Sequence, residues 1–146
     1  MKETKEFPVR NPRDALSLMS QKFYEKYGDE ALPLIRDVWY KLGTAIGKKM
    51  KSNIDNPNLA TAGQDFVDSG RKRGTPIDIV QLTEDIFHIK GHRCALGLGG
   101  KGIDLCRACM GCDLGILEAA TGSKLNMDII QSLANNDDCC EVMIRK

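Results

Sequence analysis

The chain has 146 residues, 42% of them hydrophobic, with 21 Lys plus Arg against 20 Asp plus Glu. A balance so close to neutral gives no overall field for nucleic acid or anionic lipid. No stretch reaches the ~20 apolar residues of a membrane span, and the polar start Met1-Lys2-Glu3-Thr4-Lys5-Glu6 lacks the apolar core of a signal peptide. The composition predicts a cytoplasmic chain forming one domain over 1–146, large enough to bury a core without cross-links.

Residues 1–10 are polar and aperiodic and read as an arm, followed by a helical part over 11–73 and a sheet and cysteine-rich part over 74–146. Asn11-Pro12 is an N-cap followed by a proline suited to a first helical turn. Leu16, Met19, Phe23 and Tyr27 then repeat at helical spacing up to Gly28. Asp29 is the expected cap of a second helix with Pro33 near its first turn and an apolar stripe of Ile35, Val38, Trp39, Leu42 and Ile46. Gly43 and Gly47 lie one turn apart in it and permit close approach of a backbone or a ligand, close packing being the plainer use. Leu59, Ala62 and Phe66 mark a shorter third helix ending by Gly70, and the run Arg71-Lys72-Arg73 reads as a solvated loop.

After Gly74-Thr75-Pro76 the period changes. Ile77, Ile79, then Val80 and Leu82, and after a turn Ile86 to Ile89, predict a β-hairpin that leads into Cys94. Gly97, Gly99, Gly100 and Gly102 match the G-x-G-x-x-G spacing, but the dinucleotide fingerprint opens a parallel βαβ unit and this chain offers a hairpin instead. Gly97, Gly99 and Gly100 are therefore read as a cofactor-binding loop whose backbone amides approach a metal site. A helix runs through Leu114, Leu117 and Ala120 to Gly122. A second hairpin follows, alternating from Leu125 to Ile129 and, past the turn Asn135-Asn136-Asp137-Asp138, from Cys140 to Ile144.

All six cysteines fall at or after residue 94. In a reducing compartment such a group reads as metal ligands before disulfides, the plain alternative being unligated thiols packed as small hydrophobes. Cys106, Cys109 and Cys112 stand at i, i+3 and i+6, within an arc of about 120° on a regular helix. The overlapping Cys-x2-Cys pairs favour a 4Fe-4S cluster over zinc, though Ile116 stands where a ferredoxin sequence would place its fourth cysteine. The fourth ligand is Cys94 or Cys140. Strand parity puts Cys140 on the face of Val142 and Ile144 and turns Cys139 the other way.

Tyr24-Glu25-Lys26-Tyr27-Gly28-Asp29-Glu30-Ala31 with Ile35-Arg36 and Leu42-Gly43, Arg93-Cys94, the central cysteines, and Asn136-Asp137-Asp138-Cys139-Cys140-Glu141-Val142 together resemble the L-2-amino-thiazoline-4-carboxylic acid hydrolase-like proteins. That group is similar to the 4-vinyl reductase domains. The resemblance implies an α+β fold: N-terminal helices packed on an antiparallel sheet of two hairpins, with a helix between the hairpins. It also implies Cys94, Cys140 and one of Cys109 or Cys112 as the family's cysteine positions.

Three functions follow as expectations. The first is a metal-binding domain in redox or small-molecule chemistry, with Cys94, Cys106, Cys109, Cys112 and Cys140 as candidate ligands of a 4Fe-4S cluster or of zinc. The second is a hydrolase of a small cyclic C=N substrate, with Arg93, Lys101 or Arg107 on a substrate carboxylate. The third is a small-molecule sensor with a cavity between helix two, near Gly43 and Gly47, and the sheet. The expected partners are a small-molecule ligand or substrate, a redox protein and a second copy of the chain in a homodimer, with neither nucleic acid nor membrane.

Overall fold

The computed structural model describes residues 6–146; the first five residues of the expected arm lie outside the described residues. Helix α1, Pro12–Tyr27, starts where the Asn11 side chain accepts a hydrogen bond from the Asp14 amide at 2.9 Å, and it stops at Gly28, whose φ of 64° suits a residue without a Cβ. A 3-10 turn, Gly28–Ala31, leads into α2, Leu32–Asn53. This turn replaces the cap expected from Asp29: the chain enters α2 already helical, so no side-chain cap forms. Helix α3, Leu59–Lys72, opens on a capping box in which Asn58 and Thr61 exchange hydrogen bonds at 2.9 and 3.0 Å.

Four strands follow, β1 (Ile77–Leu82), β2 (Ile86–Gly91), β3 (Asn126–Gln131) and β4 (Cys140–Arg145), all antiparallel in the order β1-β2-β4-β3. The two expected hairpins are present, joined through β2 and β4 at the centre of the sheet. Between the hairpins run α4, Ile103–Cys109, and α5, Gly111–Thr121, the latter closed by Gly122 in the left-handed region. The helical signal was expected only near the C-terminal end of this segment, but the cysteine run itself is helical. One sheet face carries Phe87, Ile89, Val142 and Ile144 into the core. Val80 marks a register shift in β1, which explains the break in alternation there and leaves Val80 exposed.

Two helices depart from their expected faces. The buried side of α2 is Ile35, Trp39, Gly43, Gly47 and Met50, while Val38 is 49% exposed and Ile46 38%. A methyl group on Gly43 would collide with the Cys112 carbonyl, one on Gly47 with the Ile116 carbonyl, and one on Gly115 would stand 2.6 Å from the Tyr40 carbonyl. The glycines thus form the seam along which α2 meets α5. This corrects the expected cavity beside Gly43 and Gly47, because the α5 backbone fills that space. In α1 the buried residues are Asp14, Ser17, Ser20 and Gln21, and Met19 and Tyr27 face out. This polar face is satisfied: Trp39 Nε1 donates to Ser20 Oγ at 2.9 Å, and Ser17 Oγ and Gln21 Nε2 both donate to the Leu96 carbonyl, at 2.6 and 3.2 Å.

Candidate functional site

The loop that α1 holds through Leu96 forms one wall of a cavity of about 150 Å³. The sheet supplies Ile89, Ile129 and Val142, α4 and α5 supply Cys106, Cys109 and Cys112, and the end of α3 supplies Phe66 and Gly70. Five of the six cysteines line this space: Cys94 from the loop, Cys106 and Cys109 from α4, Cys112 from α5 and Cys140 from β4. Cys140 lies on the face of Val142, and Cys139, although buried, is not part of the lining. All six are free thiols.

The thiols differ in their surroundings. Ser132 Oγ donates to Cys106 Sγ at 3.2 Å and the Leu98 amide donates to Cys94 Sγ at 3.4 Å, while the Leu133 backbone beside Cys140 pulls its thiol down. Burial pushes the Cys106 and Cys140 thiols up, against these partners, and the neighbouring Cys94 sulfur raises both further. Cys109 and Cys112 have no such donor, and burial pushes each up to about 12. At neutral pH these buried groups are protonated thiols, which pack as hydrophobes and are poor nucleophiles.

Among the described residues, no group of three or more His, Cys, Asp or Glu side chains converges closely enough to hold a metal ion. The thiols suit a soft metal by chemistry, but holding one would require at least three of them to close together. The two histidines lie elsewhere. His88 Nε2 is 2.7 Å from Glu141 on the opposite face of the sheet, and His92 Nε2 is 2.6 Å from Asp78. Gly97, Gly99 and Gly100 do not line the cavity. Gly97 packs against the Phe7 ring, and the Gly100 and Gly102 amides donate to the carbonyls of Leu133 and Ala134 at 3.1 and 2.9 Å. Among the loop amides, Leu98 is the one that bonds to a cysteine.

Of the basic residues expected near a ligand, Arg93 reaches the lining and donates to the Gly74 carbonyl at 3.1 Å. Lys101 stands 4.0 Å from Glu25, and Arg107 stands 3.7 Å from Asp104 on the rim of a separate open groove. Sequence reading missed Arg13, Arg73 and Asp113, which also line the cavity. Arg73 belongs to the run read as a solvated loop; it caps α3 and borders the cavity. Burial and the nearby Arg13 charge lower Arg73, and burial pushes Asp113 up to about 6 against the pull of both arginines. A signal for Arg13 was present: with Ser17, Ser20 and Gln21 it forms a polar stripe at helical spacing on α1.

No protein-family model and no curated protein matches the sequence. Among solved structures, the phenol-responsive sensory domain of the transcription activator PoxR with phenol is similar at a TM-score of 0.62 and 11% identity, over 94% of this chain and 76% of that one. A trafficking protein particle complex subunit 3 from Naegleria fowleri, covalently bound to palmitic acid, is similar at 0.58 and 14% identity, over 92% of this chain and 94% of that one. Both have the 4-vinyl reductase-like fold. Identities this low establish the fold and not the hydrolase-like family. The chain has the α+β fold of the 4-vinyl reductase type, and none of its described helices is long and apolar enough to cross a membrane.

Proposed function

We propose that the protein is a small-molecule-binding domain and that the thiol-lined cavity is its site. The observation that carries this reading is one internal space of about 150 Å³ bounded by apolar, thiol and arginine side chains. That volume matches a cavity able to take one benzene-sized molecule. Support comes from the fold, since the two similar structures are described with phenol and with palmitic acid. Isothermal titration with phenol and benzoate tests the reading. Binding of either that is lost in Ile129→Trp, with the circular dichroism of the fold retained, supports it; heat that persists in the filled variant rejects the site.

A second reading, a soft metal centre, is favoured by the hydrogen bonds to the thiols. The donors on Cys94 and Cys106, with the Leu133 backbone beside Cys140, orient these three sulfurs as outer partners do around metal ligands. With Cys109 these three form the set we propose for a 4Fe-4S cluster or zinc, because Cys112 neighbours Asp113, Arg13 and Arg73 instead. Binding would displace the thiol protons and make affinity fall steeply with acid. Anaerobic purification with iron, acid-labile sulfide and zinc assays decides it: stoichiometric metal lost in Cys106→Ser supports the centre, and metal-free protein under every loading condition removes it.

A further inference from the structure

Resting on the cavity reading, we propose that the ligand carries a small anionic oxygen group, a carboxylate in the first instance, held between Arg13 and Arg73, with its apolar body toward Ile89, Ile129 and Val142. The starting observation is Arg13 Nε, a buried donor with no acceptor among the described residues. Buried donors are nearly always paired, and an orphan on the wall of a cavity is explained by an acceptor that arrives with a ligand. A guanidinium is also the donor best matched to a carboxylate, through two parallel N–H bonds.

Arg73 makes the same point independently. It lines the same cavity from the end of α3, and its charge and that of Arg13 disfavour one another. Two neighbouring cations are costly unless an anion stands between them. Asp113, the nearby carboxylate on the lining, does not fill that role: among the described residues no ion pair within 4.0 Å involves Arg13, Arg73 or Asp113. Three positive charges, Arg13, Arg73 and Arg93, against the one negative charge of Asp113 leave the α1–α3 end of the cavity with a net positive charge when all four are ionised. Arg73, Arg93 and Ala95 are exposed as well as lining, so the mouth lies at the same end and an entering anion meets the arginines first.

The rest of the lining restricts the class. The sheet side is apolar, and the cavity matches a single benzene-sized body, so the geometry favours a compact amphiphilic acid over a free inorganic oxyanion. The test is a calorimetric and thermal-shift comparison of benzoate, benzamide and inorganic phosphate on the wild-type full chain, Arg13→Gln, Arg13→Lys and Arg73→Gln. Benzoate should bind at least about tenfold more tightly than benzamide, the preference should disappear in Arg13→Gln and shrink in Arg73→Gln, and Arg13→Lys should retain part of it. Equal affinity for benzoate and benzamide, or a preference that survives Arg13→Gln, overturns the anion site while leaving the cavity reading in place. Phosphate binding as tight as benzoate overturns the amphiphilic class and keeps the arginine pair. No binding of benzoate, benzamide or phosphate to the wild type overturns the anion site; phenol binding lost in Ile129→Trp would still keep the cavity reading, and its absence removes that too.

Discussion

Ser132 Oγ donates to Cys106 Sγ at 3.2 Å and at the same time accepts the Ala134 amide at 3.1 Å, so one buried hydroxyl ties the lead-in to β4 to helix α4. Ser132→Ala removes both bonds and leaves a buried amide without its acceptor. It should cost about 1–3 kcal/mol in urea unfolding and raise the Cys106 thiol further, whereas Ser123→Ala, away from this junction, should stay within about 0.5 kcal/mol.

The glycine seam makes a sharper prediction about packing. Gly47→Ala puts a methyl group into the Ile116 carbonyl, and backbone cannot step aside as a flexible side chain can. Helix propensity alone would make this substitution stabilising by up to about 1 kcal/mol, so the two effects oppose each other. The collision should win, with a loss of about 1–3 kcal/mol or more. Ala45→Gly on the exposed side of α2 should instead show only the propensity cost. Equilibrium denaturation of both variants checks the ordering.

Asp113 should make the ligand-free protein's stability depend on pH. Its folded-state pKa, raised by burial from 3.8 to about 6, means that the folded state favours the protonated acid. That stability is fully present below pH 3.8 and is lost as pH rises through about 6. Asp113→Asn should therefore be more stable than the wild type at pH 7.5, by up to about 3 kcal/mol, with the difference shrinking toward zero near pH 4. Thermal unfolding across that range measures it, and a constant offset would contradict the assignment.

The two donors on the Leu96 carbonyl should control how easily the cavity wall opens. Replacing Ser17 by Ala and Gln21 by Leu together strands the carbonyl of the half-buried Leu96. Amide exchange at Leu98, the donor to Cys94, should quicken by roughly an order of magnitude or more, for a loss of about 1–3 kcal/mol of local stability. Amides of β4 should be slowed or quickened far less.

Elements set by neighbouring residues were legible in the sequence. Asn11-Pro12 starts α1, Gly122 ends α5, and parity alone separates Cys140 from Cys139. What distant segments do to one another was not legible. The stripe of α2 was read from its large apolar residues, yet the buried line runs through Gly43 and Gly47, where the α5 backbone lies too close for a side chain, and Val38 and Ile46 face out. The polar face of α1 was passed over because its hydrogen-bond partners, Leu96 and Trp39, lie outside it. The cysteine run and its approach to Cys94 or Cys140 were visible from spacing and parity, and both of those cysteines line the cavity with it, but the arrival of Arg13 and Arg73 at the same cavity depends on chain paths that no local pattern encodes.

The strand order has a kinetic consequence. The central pairing sets Gly91 against Cys140, residues about fifty apart in the chain, with α4 and α5 looped out between them. Each hairpin can form by itself, but the sheet is completed only when the second finds the first. Until that late encounter Cys140 and Cys94 are on separate pieces and their thiols are open to solvent. The vulnerable period of this protein is thus its synthesis and refolding, when an oxidant or a thiophilic metal could capture sulfurs that the finished fold gathers along one cavity wall.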